Sequence, residues 1–280
     1  MINRRLKSKL FFTGMLILSI IALLLMFSVQ LVLWLKGLPV LLLNGLRILY
    51  DIPPLPSSSQ PIGGLGPSLI GSLISAGLAM LFASIVSILL AYVSVELQHK
   101  RISSVLKLTS TALYGIPTIT VSMIVYSTIC LHMGRQSILA GALALTIVAI
   151  PMEFTYFESI FSSIPLTYKE AGYSMGLSRG QVLKKIVLGI GKAGVVSSLV
   201  AVFARIMGET APMLFTIGNN FSSFAFNLFE PSSTVTTLIF AYAASPYKVQ
   251  VDFAWGASLV LYIIYMVFSL ASKLVKEVEL

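Results

Sequence analysis

The sequence predicts an all-α integral membrane fold with six transmembrane helices, and three observations carry that prediction. Hydrophobic residues make up 57% of the 280 positions, while only 10% are charged, against roughly 25% in soluble domains. Apolar runs of about 20 residues, the length that crosses a bilayer, recur along the whole chain. Basic residues fall between those runs instead of forming one patch, as topology signals do. The net charge of +9 and pI near 9.7 therefore give no indication of nucleic-acid binding.

The spans are expected near 10–35, 68–95, 108–131, 137–157, 193–217 and 252–272. The first follows a basic cluster of Arg4, Arg5, Lys7 and Lys9. Its apolar run is far longer than the roughly 7–15 residues of a signal-peptide core, so it is expected to be a retained helix. Residues 1–36 thus form a tail and first helix. Residues 37–66, with Asp51-Ile-Pro-Pro-Leu-Pro and Gly63-Gly-Leu-Gly-Pro67, read as an extended, turn-rich external connector. The remaining body covers 67–275. The basic residues of the N-terminal tail, of 96–107 (Lys100, Arg101, Lys107), of 158–192 (Lys169, Arg179, Lys184, Lys185, Lys192) and of the C-terminal tail (Lys273, Lys276) outnumber those on the other side (Lys36, Arg47, Arg135, Lys248). That excess places both termini in the cytoplasm.

Within the third span, Pro117 in Tyr114-Gly-Ile-Pro-Thr118 is expected to break the helix and free the Thr111 carbonyl. The fourth span carries Pro151 near its end, then Glu153, solvated or facing inward, and Glu158 at the water interface. The loop 158–192 predicts two short helices, the first capped by Thr167 with Glu170 at N3, the second starting at Ser178 with Gln181 at N3. Gly172 and Gly176 between them would let another protein approach the backbone closely. The fifth span holds Arg205-Ile-Met-Gly-Glu209-Thr-Ala-Pro212, with Pro212 freeing the Gly208 carbonyl. A charged side chain at the bilayer centre costs on the order of 2.5–3.5 kcal/mol, so Arg205 and Glu209 mark a functional site. Spaced four apart, they share a helix face and can pair. Beyond the span, Val235 to Ala244 is expected as a short interfacial helix stopped by Pro246. Cys130 is expected to be a buried thiol; His99 and His132 lack metal-ligand spacing and are expected at the interface. No metal site or cofactor is expected, and no Gly-x4-Gly-Lys-Ser/Thr loop for ATP is present.

Glu170-Ala171-Gly172, three residues, Gly176, nine residues, Ile186, one residue and Leu188 resemble the EAA loop of ABC-transporter permeases at every spacing, with Gly189 where that family usually has Leu-Pro. The resemblance implies a type I, MetI-like permease fold. It also implies that Glu170, Ala171, Gly172 and Gly176 belong to a coupling helix that inserts into a groove of a cytoplasmic ATPase. Gly63 to Gly71, Gly115-Ile-Pro-Thr-Ile119 and Leu143-Ala-Leu-Thr-Ile147 with Pro151 look like phosphate permeases, and Arg205 to Thr216 resembles the PstA-type members most. Arg-x-x-Gly-Glu alone also occurs in sulfate and molybdate permeases, so those oxyanions stay open as the alternative. Thr155 stands where the family often has a second arginine. The implied function is one half of the translocation pathway of an ATP-driven phosphate importer. Arg205, Glu209 and Thr210 would lie along the substrate pathway, and Pro117 and Pro212 would be the helix breaks. The implied partners are a PstC-type sister permease, two copies of an ATP-binding subunit and an extracytoplasmic phosphate-binding protein. A membrane enzyme would need clustered Asp, His or Glu, and only Glu153 and Glu158 come near one another.

Overall fold

A computed structural model describes residues 2–96 and 100–277, and every regular element among them is helical. His99 lies outside the described residues. Helix α1 runs from Ile2 to Asn44, past the expected end near residue 35. Pro39 lies inside it and does not stop it, because the turns around it pack on another helix. A Cβ at Gly37 would sit 2.8 Å from the Trp255 carbonyl, so only glycine allows that contact. The helix ends at Gly45, whose φ of 51° is left-handed and whose N–H bonds the Leu41 carbonyl at 2.8 Å. The connector therefore begins at Gly45 and not at residue 37. Far from free, it is pinned by buried Asn44, which donates to the Val40 and Pro61 carbonyls and accepts from Gly63 N at 2.8 Å. It contains α2, Arg47–Tyr50.

Helix α3 spans Gly66–Glu96 and α4 spans Lys100–Tyr114. The residues expected as a loop at 100–107 are thus helical. The third span is two helices: α4 meets the segment from Thr118 to Met133 at 90°. That segment is α5, Thr118–Val125, then a π-helical turn, Tyr126–Cys130, and α6, Leu131–Met133. The break is at Pro117 as expected, but the Thr111 carbonyl is not freed; it accepts from Gly115 N at 3.1 Å. Proline removes the N–H that would serve the carbonyl four residues back, Leu113, which accepts instead from Ile116 at 3.2 Å.

Helix α7, Ile138–Ser163, is capped by the Ser137 hydroxyl and carries Pro151 inside. Next come α8, Leu166–Ser174, and α9, Arg179–Val182. A second π-helical turn, Leu183–Val187, leads into α10, Leu188–Ile190. Helix α11 covers Lys192–Met207, bent 77° from the preceding helical stretch, and α12 covers Ala211–Leu214. The fifth span is thus shorter than expected and stops before Glu209. Helix α13, Val235–Ala243, starts in a capping box of Thr234 and Thr237, and α14 covers Lys248–Glu277. Among the described residues, four helices (from α1, α3, α7 and α14) are long and apolar enough to cross a membrane, or six segments if each bent pair counts as one.

Small residues decide the centre. Ala76, Ala79 and Ala83 of α3 face Leu145, Val148, Ala149 and Met152 of α7, with Val202 and Ile206 of α11 closing the cluster. Such residues let membrane helices approach closely, where dispersion supplies the attraction that water does not. A second cluster joins α1, α13 and α14 through Val40, Leu238, Phe253, Ala257 and Val260. Helix α13 forms as expected and buries Val235, Leu238 and Tyr242 in this cluster, while Phe240 on its other side is exposed. A third cluster, with Phe157, Phe161, Val182 and Val187, fastens the 158–192 loop to the ends of α3 and α7.

Candidate functional site

Arg205 occupies the last turn of α11, where the helix dipole favours a cation. Glu209 lies just beyond the helix, after Gly208 has closed the final turn by donating to the Arg205 carbonyl at 3.0 Å. The pair forms as expected, Arg205 Nη2 to Glu209 Oε1 at 3.4 Å, with side chains 57% and 17% exposed. Pro212 sits in the first turn of α12, where its missing N–H costs nothing. Its carbonyl accepts from the Ser122 hydroxyl at 3.0 Å, which ties this break to α5 just past the Pro117 break. The Glu209 carbonyl accepts from Thr236 Oγ1 at 3.2 Å. Two helix breaks and the charged pair are therefore held together by side-chain hydrogen bonds to backbone.

The guanidinium opens on a cleft of about 360 Å³ lined by Ser110, Thr111 and Tyr114 of α4 and by Met152, Thr155 and Tyr156 of α7. A narrower hollow of about 70 Å³, bounded by Tyr114, Thr118, Pro151 and Glu209, continues from it. Thr155 thus points into the same cleft as Arg205. Its hydroxyl donates to the Pro151 carbonyl at 2.8 Å, leaving the oxygen free to accept. The hydroxyls of α4 escaped the sequence reading, although Ser110, Thr111 and Tyr114 share a helix face beside the Pro117 break. The arrangement can hold an oxyanion: one fixed forked cation, a carboxylate that steadies it, and hydroxyls on the facing helices.

Thr210 is not brought to this cleft. It lines another, of about 370 Å³, with Gly208, Thr236, Tyr262 and Tyr265, because the chain turns at Gly208 and leaves the helical face. Glu153 faces inward, fully buried: Oε1 accepts from Ser84 at 3.1 Å and Oε2 has no hydrogen-bond partner among the described residues. Glu158 pairs with Lys107 at 2.8 Å. Cys130 is buried and His132 exposed.

In the 158–192 loop, α8 begins after Pro165 with no side-chain cap, so Thr167 is not its N-cap; proline already fixes the entry angle. The Ser178–Gln181 capping box is present in both directions. Glu170 and Ala171 are exposed, and Gly176 is open with a left-handed φ of 81°. Gly172 is buried: a Cβ there would overlap Ile186 Cδ1, so its smallness serves packing inside the loop. Met175, missed in the sequence, projects beside Gly176 with 74% exposure. The loop is tied to α3 through Tyr173, whose hydroxyl bonds Glu96, and Tyr92, which donates to the Arg179 carbonyl at 2.9 Å. Burial and the Glu96 partner push the Tyr173 phenol above its usual range; burial pushes the neighbouring Lys169 ammonium down, with Glu96 opposing.

Comparison with known proteins gives these features a context. The family model for binding-protein-dependent transport system inner membrane components matches residues 83–278. A probable phosphate transport system permease protein PstA of Methanocaldococcus jannaschii is 32% identical over 94% of this chain and 91% of its own length. The phosphate transport system permease protein PstA of Haemophilus influenzae is 31% identical over 80% and 78%. Among solved structures, an inward-facing MetNI methionine ABC transporter chain aligns with a TM-score of 0.59 at 14% identity, covering 75% of this chain and 95% of that one. The helical body, with four to six segments able to cross a membrane and an Arg205–Glu209 pair beside the Pro117 break, is therefore that of a multi-pass membrane protein belonging to the binding-protein-dependent transport system inner membrane components, in their PstA-type branch.

Proposed function

We propose that this chain is one half of the translocation pathway of an ATP-driven phosphate importer, and that phosphate meets Arg205 on its way across. The observation that carries this reading is the open, hydroxyl-lined cleft into which the Arg205 guanidinium projects, held at one edge by Glu209. A cation placed there without function would cost insertion energy for nothing, whereas a fixed forked donor lowers the barrier to a travelling oxyanion. The relatives' names supply the anion, since they are phosphate permeases. Thr155, facing Arg205 across the cleft, offers a neutral acceptor where a second arginine would have strengthened the field. Thr210 takes no part in the Arg205 cleft.

Both termini lie in the cytoplasm in this reading, which puts the 158–192 loop there too. Its exposed ridge of Glu170, Ala171, Met175 and Gly176 docks on a cytoplasmic ATPase, while Gly172 keeps the ridge compact. ATP-driven closure of two such ATPase subunits moves the loop, and the Tyr173–Glu96 and Tyr92–Arg179 ties carry that movement to α3. The chain itself hydrolyses no ATP. A PstC-type sister permease closes the cleft from the open side, and an extracytoplasmic phosphate-binding protein delivers the substrate.

Arg205→Gln tests the pathway role. Reconstituted with its partners, the variant should assemble normally and lose phosphate uptake by about tenfold or more, the effect of removing one charge-assisted contact of roughly 1.5–3 kcal/mol. Normal uptake by a normally assembled variant sinks the proposal. Competition by sulfate or molybdate as strong as that by unlabelled phosphate would reassign the anion.

A further inference from the structure

Away from the Arg205 cleft, a second polar cleft of about 520 Å³ lies between the far ends of α1 and α14. Lys36, Lys248, Asp252 and Trp255 form its polar end, and Leu35, Pro39 and Val40 form its apolar wall. The Lys36 ammonium stands 4.7 Å above the Trp255 ring. Lys248 pairs with Asp252 at 2.6 Å while remaining 88% exposed. No carboxylate lies within 4 Å of Lys36 among the described residues, so the cleft keeps one uncompensated positive charge.

Depth decides what can reach it. From Lys9 to Lys36 the helix climbs about 40 Å, and from Lys273 back to Lys248 about 38 Å, each close to the thickness of a bilayer with its headgroups. Both lysines therefore stand at headgroup level on the face opposite the 158–192 loop, and Trp255 sits where interfacial tryptophans sit. Below them the wall passes into the seam between α1 and α14; Leu35 lines the cleft, and Val32 and Val29, four and seven residues before Lys36 on its helix face, are exposed. A ligand with one negative charge at the headgroup plane and an apolar tail below it matches both halves of the cleft.

We propose that this cleft binds the phosphate of a phospholipid of the outer leaflet, with Lys36 and Lys248 as donors and an acyl chain in the α1–α14 seam. It rests on the cytoplasmic placement of the termini for the word outer, and on nothing in the Arg205 cleft. The Lys36 ammonium already sits over the Trp255 ring, so it is oriented before the lipid arrives. The Asp252 carboxylate holds Lys248 at the rim.

The test is native mass spectrometry of the complete detergent-solubilised transporter with added phosphatidylglycerol. The wild-type complex should retain a phospholipid that the Lys36→Gln/Lys248→Gln variant holds about thirtyfold less, roughly the effect of 1 kcal/mol for each of the two surface lysines. Inorganic phosphate at about 10 mM should not displace it, since a free anion gains nothing from the seam. Equal retention by wild type and variant overturns the proposal, as does displacement by inorganic phosphate, which would make the cleft a free-anion site. A covalent cross-link from Lys36 to a partner protein's carboxylate in the assembled complex overturns it as well. If the double variant fails to assemble, the exposed single change Lys36→Gln supplies the comparison. Labelling of Lys248→Cys by an impermeant thiol reagent from outside the cell reports the orientation separately, so a failure of that reading is distinguishable from a failure of lipid binding.

Discussion

Arg205 and Glu153 are both ionisable groups on otherwise apolar helices, yet their surroundings assign them opposite roles. Arg205 is more than half exposed and has its one carboxylate partner at the cleft's edge. Glu153 is fully buried with a single hydroxyl donor. Arg205→Lys should keep the charge and lose the fork, so uptake should fall by about tenfold while assembly persists, read as initial rates in proteoliposomes. Rates equal to wild type would show that point charge alone suffices. Glu153→Gln keeps the shape and the Ser84 hydrogen bond, and a neutral amide removes no ion pair. Its thermal unfolding in detergent should stay within about 1 kcal/mol of wild type and its transport should be normal; a loss of transport in the folded variant would place Glu153 on the pathway after all.

At the scale of elements, the breaks and the loop carry the consequences. Gly176 is left-handed and open, whereas Gly172 is filled from inside. Asparagine tolerates left-handed backbone better than alanine does. If only backbone strain matters at Gly176, Gly176→Asn should rescue what Gly176→Ala loses; the proposed docking surface predicts instead that both reduce ATP-coupled uptake, with ATPase activity persisting. Coupled rates of ATP hydrolysis and phosphate uptake separate the two. Helix α3 meets the chain before α13 without a gap: a Cβ at Gly71 would overlap the Ser233 carbonyl oxygen. Because that obstacle is backbone and cannot rotate away, Gly71→Val should destabilise the fold by about 3 kcal/mol or more, seen as lower yield and melting temperature. A Gly71→Val variant melting like wild type would mean that the 231–234 segment moves freely.

At the scale of the whole molecule, the apolar helical character, the Pro117 break, the Ser178 cap and the Arg205–Glu209 pair were legible, since each depends on residues within a few positions of one another. Spacing alone misjudged the rest. The first helix runs past residue 35 because Gly37 and Pro39 sit against α14, a contact with residues more than 200 positions away. Thr167 reads as a cap until Pro165 takes the entry, and Thr210 reads as a neighbour of Arg205 until the turn at Gly208 directs it to another cleft. Gly172 looks like an open approach until Ile186 fills the space beside it. The sequence by itself determined that the chain crosses a membrane and that a charged pair interrupts one of its apolar runs, because hydropathy, helix period and proline chemistry are local. Only the tertiary structure decided that hydroxyls of α4 and α7 face that pair, and that Lys36 meets Trp255. Which side chains share a cleft depends on how separate helices cross, and that is set by small residues packing across the whole chain.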